Sequence, residues 1–98
     1  MSNLRFGAVY GAPPIFNPAL DEMGYVEPCE LHLPPQLLAQ LDDWNTEFQQ
    51  TFSDDYPPDS GFKSKEERDR HNARGVELAV LLQRELGADV LIEFVPLR

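Results

Sequence analysis

Three proline pairs, Pro13-Pro14, Pro34-Pro35 and Pro57-Pro58, constrain the fold of this chain more than any other feature. Proline fixes φ and lacks an N–H, so it stands at the ends of helices and strands and not inside them. The pairs punctuate the periodic segments without interrupting them. The chain of 98 residues reads as a single domain, 1–98, with one core.

Residues 4–10 alternate, with Leu4, Phe6, Ala8 and Tyr10 on one face, which predicts a strand. Residues 11–24 read as a loop anchored by Ile15, Phe16 and Leu20. Residues 25–33 alternate again, with Cys29, Leu31 and Leu33 on one face and Glu30 and His32 on the other. Pro28 makes this second strand an edge strand, or one that begins after the proline. Pro34-Pro35 pre-sets the first turn of a helix. Leu37, Leu41, Trp44, Phe48 and Phe52 then follow at helical spacing, which predicts a helix over 35–51. Residues 53–62 have turn chemistry.

Ser64 and Glu67 form a capping-box pair ahead of a second helix that runs to Leu86 and stops at Gly87. Its first turns are charged and belong in water, His71 included. Its last three turns are apolar over more than half the circumference and belong in a deep core. Gly75 in mid-helix costs about 1 kcal/mol against alanine, so it implies close approach by another element, Trp44 or a strand. Residues 90–95 read as a final strand with Val90, Ile92 and Phe94 inward, central because both its faces are mostly apolar. The order β-β-α-α-β predicts an α+β domain: a small, mostly antiparallel sheet of about three strands with two helices packed on one face.

Charge points to function. Between Arg5 and Lys63 there is no lysine or arginine, and residues 1–62 hold one base against ten acids. Residues 63–98 hold seven of each, so the formal charge of −9 belongs to the first part of the chain. A concentrated negative field costs stability and attracts a positively charged partner; solubility is the competing reason to keep it. The same balance argues against nucleic-acid binding, which needs lysine and arginine against phosphate. The lone Cys29 cannot form an internal disulfide, which fits a reducing compartment. The N-terminus lacks a signal-peptide pattern, and no apolar run reaches the ~20 residues of a membrane span. The expectation is a soluble cytoplasmic protein, a monomer or weak homodimer.

Catalytic chemistry is sparse. Neither His32 nor His71 has a partner at metal-ligand spacing, and Cys29 reads as a buried structural thiol. The loop Asp54-Asp55-Tyr56-Pro57-Pro58-Asp59 fails the EF-hand pattern. No metal, cofactor or catalytic set is expected. What remains is a surface: Asp42, Asp43 and Glu47 on the first helix, and Asp54, Asp55 and Asp59 around Tyr56 in the loop that follows. Carboxylates around an exposed aromatic suit a protein interface that selects a basic partner. Two alternatives stay open. One is a small enzyme using His32 with nearby carboxylates; the other is a structural or assembly protein with a solubilising acidic exterior.

The stretch Gly61-Phe62-Lys63-Ser64-Lys65-Glu66-Glu67-Arg68, then Asn72-Ala73-Arg74-Gly75, Leu78-Ala79 and Leu82-Gln83-Arg84-Glu85-Leu86-Gly87, preceded by Trp44 and Phe48, forms a recognisable pattern over about residues 40–95. It resembles the small cognate immunity proteins of bacterial polymorphic toxin systems, including contact-dependent inhibition. The matching residues are structural: a helix start, a close-packing glycine, a leucine stripe and a C-cap. The resemblance implies a non-catalytic inhibitor that binds a cognate toxin domain. For a basic nuclease toxin, the carboxylates would lie where substrate phosphates bind.

Overall fold

The computed structural model describes residues 2–19, 21, 23–53, 55–56 and 60–97. The first alternating segment becomes β1 (Ser2–Gly7). Leu4 and Phe6 are buried on its inner face, Ala8 continues that face, and the Tyr10 ring stacks on Phe48 at 4.2 Å. The expected loop at 11–24 contains a short second strand, β2 (Ile15–Asn17). Pro14 sits just ahead of it, where a missing N–H does no harm, and its carbonyl accepts from Gly7 N–H at 2.9 Å. Ile15 is fully buried, whereas Phe16 points to the opposite face of the sheet. Leu20 lies outside the described residues.

The expected strand at 25–33 is a strand only over β3 (Gly24–Val26). Pro28 at the first helical position starts a 3-10 helix, Pro28–Leu31, and His32 closes it in the left-handed region at φ 56°. Alternation misled here because Leu31 and Leu33 also reach the core from a short helix and its exit turn.

Helix α1 (Pro35–Gln49) buries Leu37, Leu41, Trp44 and Phe48. It ends two residues before the expected boundary, in a tightened turn where Thr51 N–H bonds to Phe48 O. Helix α2 (Lys65–Leu86) is capped by Ser64, whose hydroxyl accepts from Glu67 N–H at 3.1 Å, and closes at Gly87 with φ 77°. Leu78 and Leu82 are buried, but Val76 and Val80 are exposed, so the last turns of α2 are one-sided and not deeply enclosed.

Strand β4 (Val90–Val95) pairs in parallel with β1, while β1–β2 and β2–β3 are antiparallel. The sheet is therefore four-stranded and mixed, in the order β3-β2-β1-β4, with the helices on one face. The chain order is β-β-β-α-α-β, one strand more than expected. β4 lies at the edge, not the centre. Its apolar residues divide between the helix side (Val90, Ile92, Phe94) and the open side (Leu91, Val95), and this division made it read as central. Gln83 of α2 protects that edge by donating to Val90 O at 2.6 Å and accepting from Ile92 N–H at 2.9 Å. Asn72 holds the exit of β4 through paired bonds to Leu97.

The helices are joined by a reciprocal contact. Trp44 Nε1 donates to His71 O at 2.9 Å, and His71 Nε2 donates to Trp44 O at 3.1 Å. Their rings stack at 4.2 Å and 13°. His71 is therefore core, 1% exposed, and not the solvated residue its charged neighbours suggest. Gly75 makes the arrangement possible. A Cβ there would lie 2.5 Å from Phe94 Cζ and 3.1 Å from Trp44 Cζ2.

Candidate partner-binding surface

α1 presents its carboxylates outward because its apolar stripe is consumed by the core. Asp42, Asp43 and Glu47 are all exposed; Asp43 and Glu47 are neighbours one turn apart, and Asp42 lies on the adjacent flank. Asp42 lies on the flank that meets the Gly11–Pro14 loop and the 3-10 helix. There it lines a groove of about 560 Å³ with Glu27, Cys29, Asn45 and Gln49. Glu47 lies on the flank facing α2, in a groove of about 350 Å³ with Phe62, Glu67 and Arg70. Asp43 is on the outer surface between them. Asp55 and Tyr56 are exposed in the interhelical loop, Tyr56 to 64%. Asp54 and Asp59 lie outside the described residues.

Ion pairs among the described residues join Arg5 to Glu93 at 3.7 Å and Arg68 to Asp69 at 3.9 Å. Neither involves Asp42, Asp43, Glu47 or Asp55. Exposed pairs of this kind contribute about 0–1 kcal/mol, so the anionic character of α1 is largely uncompensated. Arg70 lines the same groove as Glu47 and moderates the charge on that flank.

The rim of the Asp42 groove is fixed by Gln49. Its Nε2 donates to Val9 O at 2.8 Å and to Asn45 Oδ1 at 3.2 Å, and its Oε1 accepts from Gly11 N–H at 3.0 Å. Tyr10 and Thr51 join their hydroxyls close by. Glu27, which sequence reasoning did not single out, thus shares a groove with Asp42 although the two are remote in sequence. No spacing rule connects them; the 3-10 turn brings them together.

Two expectations about reactive groups need correction. Cys29 is exposed on the groove wall, because the 3-10 turn rotates it out of the face it would share with Leu31 and Leu33 in a strand. His32 is also exposed, at the left-handed end of that turn and not on a strand face. A solvent-facing His32 gives the enzyme alternative no enclosed site. Among the described residues, no group of three or more His, Cys, Asp or Glu side chains is placed to hold a metal ion. No helix among them is long and apolar enough to cross a membrane.

The titration of His71 is shifted by its surroundings. Burial lowers its pKa from the ordinary 6.5; the Trp44 carbonyl and the Glu47 charge oppose that, and Arg74 adds to it. Its Nδ1 is buried without a hydrogen-bond partner. With Nε2 donating, Nδ1 is left as an unfilled acceptor, and protonation there would bury an N–H with nothing to receive it.

The family model described as "Serratia CdiI immunity protein-like" matches residues 2–97. The chain belongs to this family. The match takes in every strand and both helices, well beyond the 40–95 stretch that carries the resemblance in the sequence. No curated protein matches the chain. Membership supports toxin-neutralising immunity as the general role, and a non-catalytic one.

Proposed function

We propose that this chain binds a cognate toxin domain of a contact-dependent inhibition system and blocks it by protein–protein contact, with no catalysis of its own. The partner surface is acidic: Asp42, Asp43 and Glu47 on α1, with Asp54, Asp55, Tyr56 and Asp59 in the following loop. The supporting observation is that the base-free stretch between Arg5 and Lys63 supplies exposed α1 carboxylates that no ion pair among the described residues occupies. Such a field complements a basic toxin, and a nuclease is the toxin class whose substrate-binding groove requires cations. Carboxylates docked there stand in for phosphates. The inhibitor acts in the cytoplasm, where a nuclease toxin would meet its substrate, and it acts as a monomer or weak homodimer.

Complementary fields raise the association rate, to roughly 10⁸–10⁹ M⁻¹s⁻¹ at low salt in favourable cases, and penalise wrong partners. The triple reversal Asp43→Lys, Glu47→Lys and Asp55→Lys is expected to slow association with the toxin domain by about tenfold at low salt and to flatten the salt dependence. Stopped-flow association across an ionic-strength series measures both. An unchanged rate and slope would remove the electrostatic reading.

A further inference from the structure

The helices cover one face of the sheet, and the other face is open. Antiparallel strands with a solvated face ordinarily alternate apolar-in with polar-out. This face departs from that pattern. One row across it runs Tyr25, Phe16, Arg5, Glu93, set by the registers Phe16↔Tyr25, Arg5↔Phe16 and Arg5↔Glu93. Tyr25 and Phe16 pack edge to face at 5.2 Å, and Arg5 is drawn to Glu93. Tyr25 is 50% exposed, Leu91 52%, Val95 47% and Val9 43%.

In the next row Gly7 opposes Val95. A Cβ on Gly7 would lie 2.9 Å from Val95 O and 3.1 Å from Val95 Cβ, so the strands close up only around a glycine. Because Gly7 puts no side chain on this face, a hollow of about 350 Å³ opens over it, walled mostly by Val9, Phe16, Tyr25, Val95 and Leu97, with Arg5 also lining it. Pro14 lines both this hollow and the groove that holds Glu27 and Asp42. The apolar hollow and the acidic groove are therefore neighbours on either side of the Gly11–Pro14 loop.

We infer that this hollow is a socket for a large apolar side chain of the toxin domain, and that the interface runs from the acidic groove over the Gly11–Pro14 loop onto the open sheet. The inference rests on the toxin-binding reading above. Charge decides the occupant. A second copy would bring −9 against −9 and set one acidic groove against another, whereas a basic partner seated over Glu27 and Asp42 lies within reach of the socket. A desolvated apolar anchor beside a charged rim is the arrangement that concentrates binding energy in an interface. The acids then govern encounter, and the socket governs residence.

The test uses Val95→Lys and Tyr25→Ala in the full chain, titrated against the cognate toxin domain. Val95 is about half exposed, so the thermal midpoint of Val95→Lys should stay near wild type, whereas Tyr25→Ala gives up its contact with Phe16 and should melt a few degrees lower while remaining folded. The expected result for each is a Kd raised by about tenfold or more, carried by faster dissociation with association little changed. Folded variants that bind within twofold of wild type would overturn the socket while leaving the toxin-binding reading intact. Wild-type protein that fails to bind the toxin domain overturns that reading and the socket with it. Self-association of wild type that Val95→Lys abolishes, with toxin binding unchanged, assigns the face to a second copy and likewise overturns the inference.

Discussion

The two sides of the sheet each contain a glycine that a methyl group would spoil, and they use it in opposite ways. At Gly75 the missing side chain admits Phe94 and Trp44, so the space is filled from within. At Gly7 the strands close up, and the space above stays open to solvent. On the covered side, rings from β1, α1, α2 and β4 meet: Phe6 lies 4.8 Å from Trp44 and 5.7 Å from Phe94. On the open side, the Phe16–Tyr25 pair has no covering layer. The difference separates the side that holds the chain folded from the side that the proposed interface would use.

That division can be broken by mutation. The largest effect is expected at Trp44, 1% exposed and bonded to His71. Trp44→Ala should lower the unfolding free energy by about 3–5 kcal/mol, through cavity formation and the loss of its hydrogen bond. Urea titration measures it, and a loss under about 1 kcal/mol would mean the helix-covered side is not what holds the fold. Gly75→Ala comes next. Helix propensity gains about 1 kcal/mol, but overpacking costs about 1–3 kcal/mol. The Phe94 ring atoms, 2.5 and 2.6 Å from the new Cβ, put the cost at the upper end. A net loss of about 1–2 kcal/mol is expected in the same titration, and a stabilised Gly75→Ala protein would show that Phe94 can swing aside freely. Val95→Lys on the open side is the reference, with stability changed by no more than about 0.5 kcal/mol.

The smallest effect is a pH dependence. The folded-state pKa of His71 lies below the unfolded 6.5, so the unfolded chain binds more protons in the interval between the two values. The stability that His71 contributes is fully present above pH 6.5 and is lost as the pH falls from there through the folded pKa. Glu47 and Arg74 act on the imidazole with opposite sign, and the facing rings of Trp44, Phe48 and Phe62 carry no charge. Thermal midpoints followed from pH 7.5 to 5 should decline in wild type and decline less in His71→Phe. Parallel declines would remove His71 as the source.

The elements of the covered side were legible because each rests on a local rule. The stripe from Leu37 to Phe48, the Ser64 cap, the Gly87 stop and the crowding at Gly75 all emerge where spacing places them. The second strand was hidden because Pro13-Pro14 and Asn17-Pro18 leave only Ile15–Asn17 between them, too short for a pattern to register. His71 was misplaced because its sequence neighbours are charged, whereas its burial is decided by Trp44 on another helix. For the site, the sequence supplied the charge and its location on α1. It could not supply the pairing of Glu27 with Asp42 or the Gly7 hollow, because both are made by contacts between segments distant in sequence.

The parallel pairing of Ser2–Gly7 with Val90–Val95 has a temporal consequence. Ser2–Gly7 is made long before Val90–Val95 and must wait for it before its second neighbour arrives, and Phe6 finds Phe94 only then. Contacts so far apart along the chain slow folding, and they leave an apolar strand exposed while translation is under way. A nascent chain of this design completes its sheet only once β4 is made, so its folded shape lags well behind the start of its synthesis.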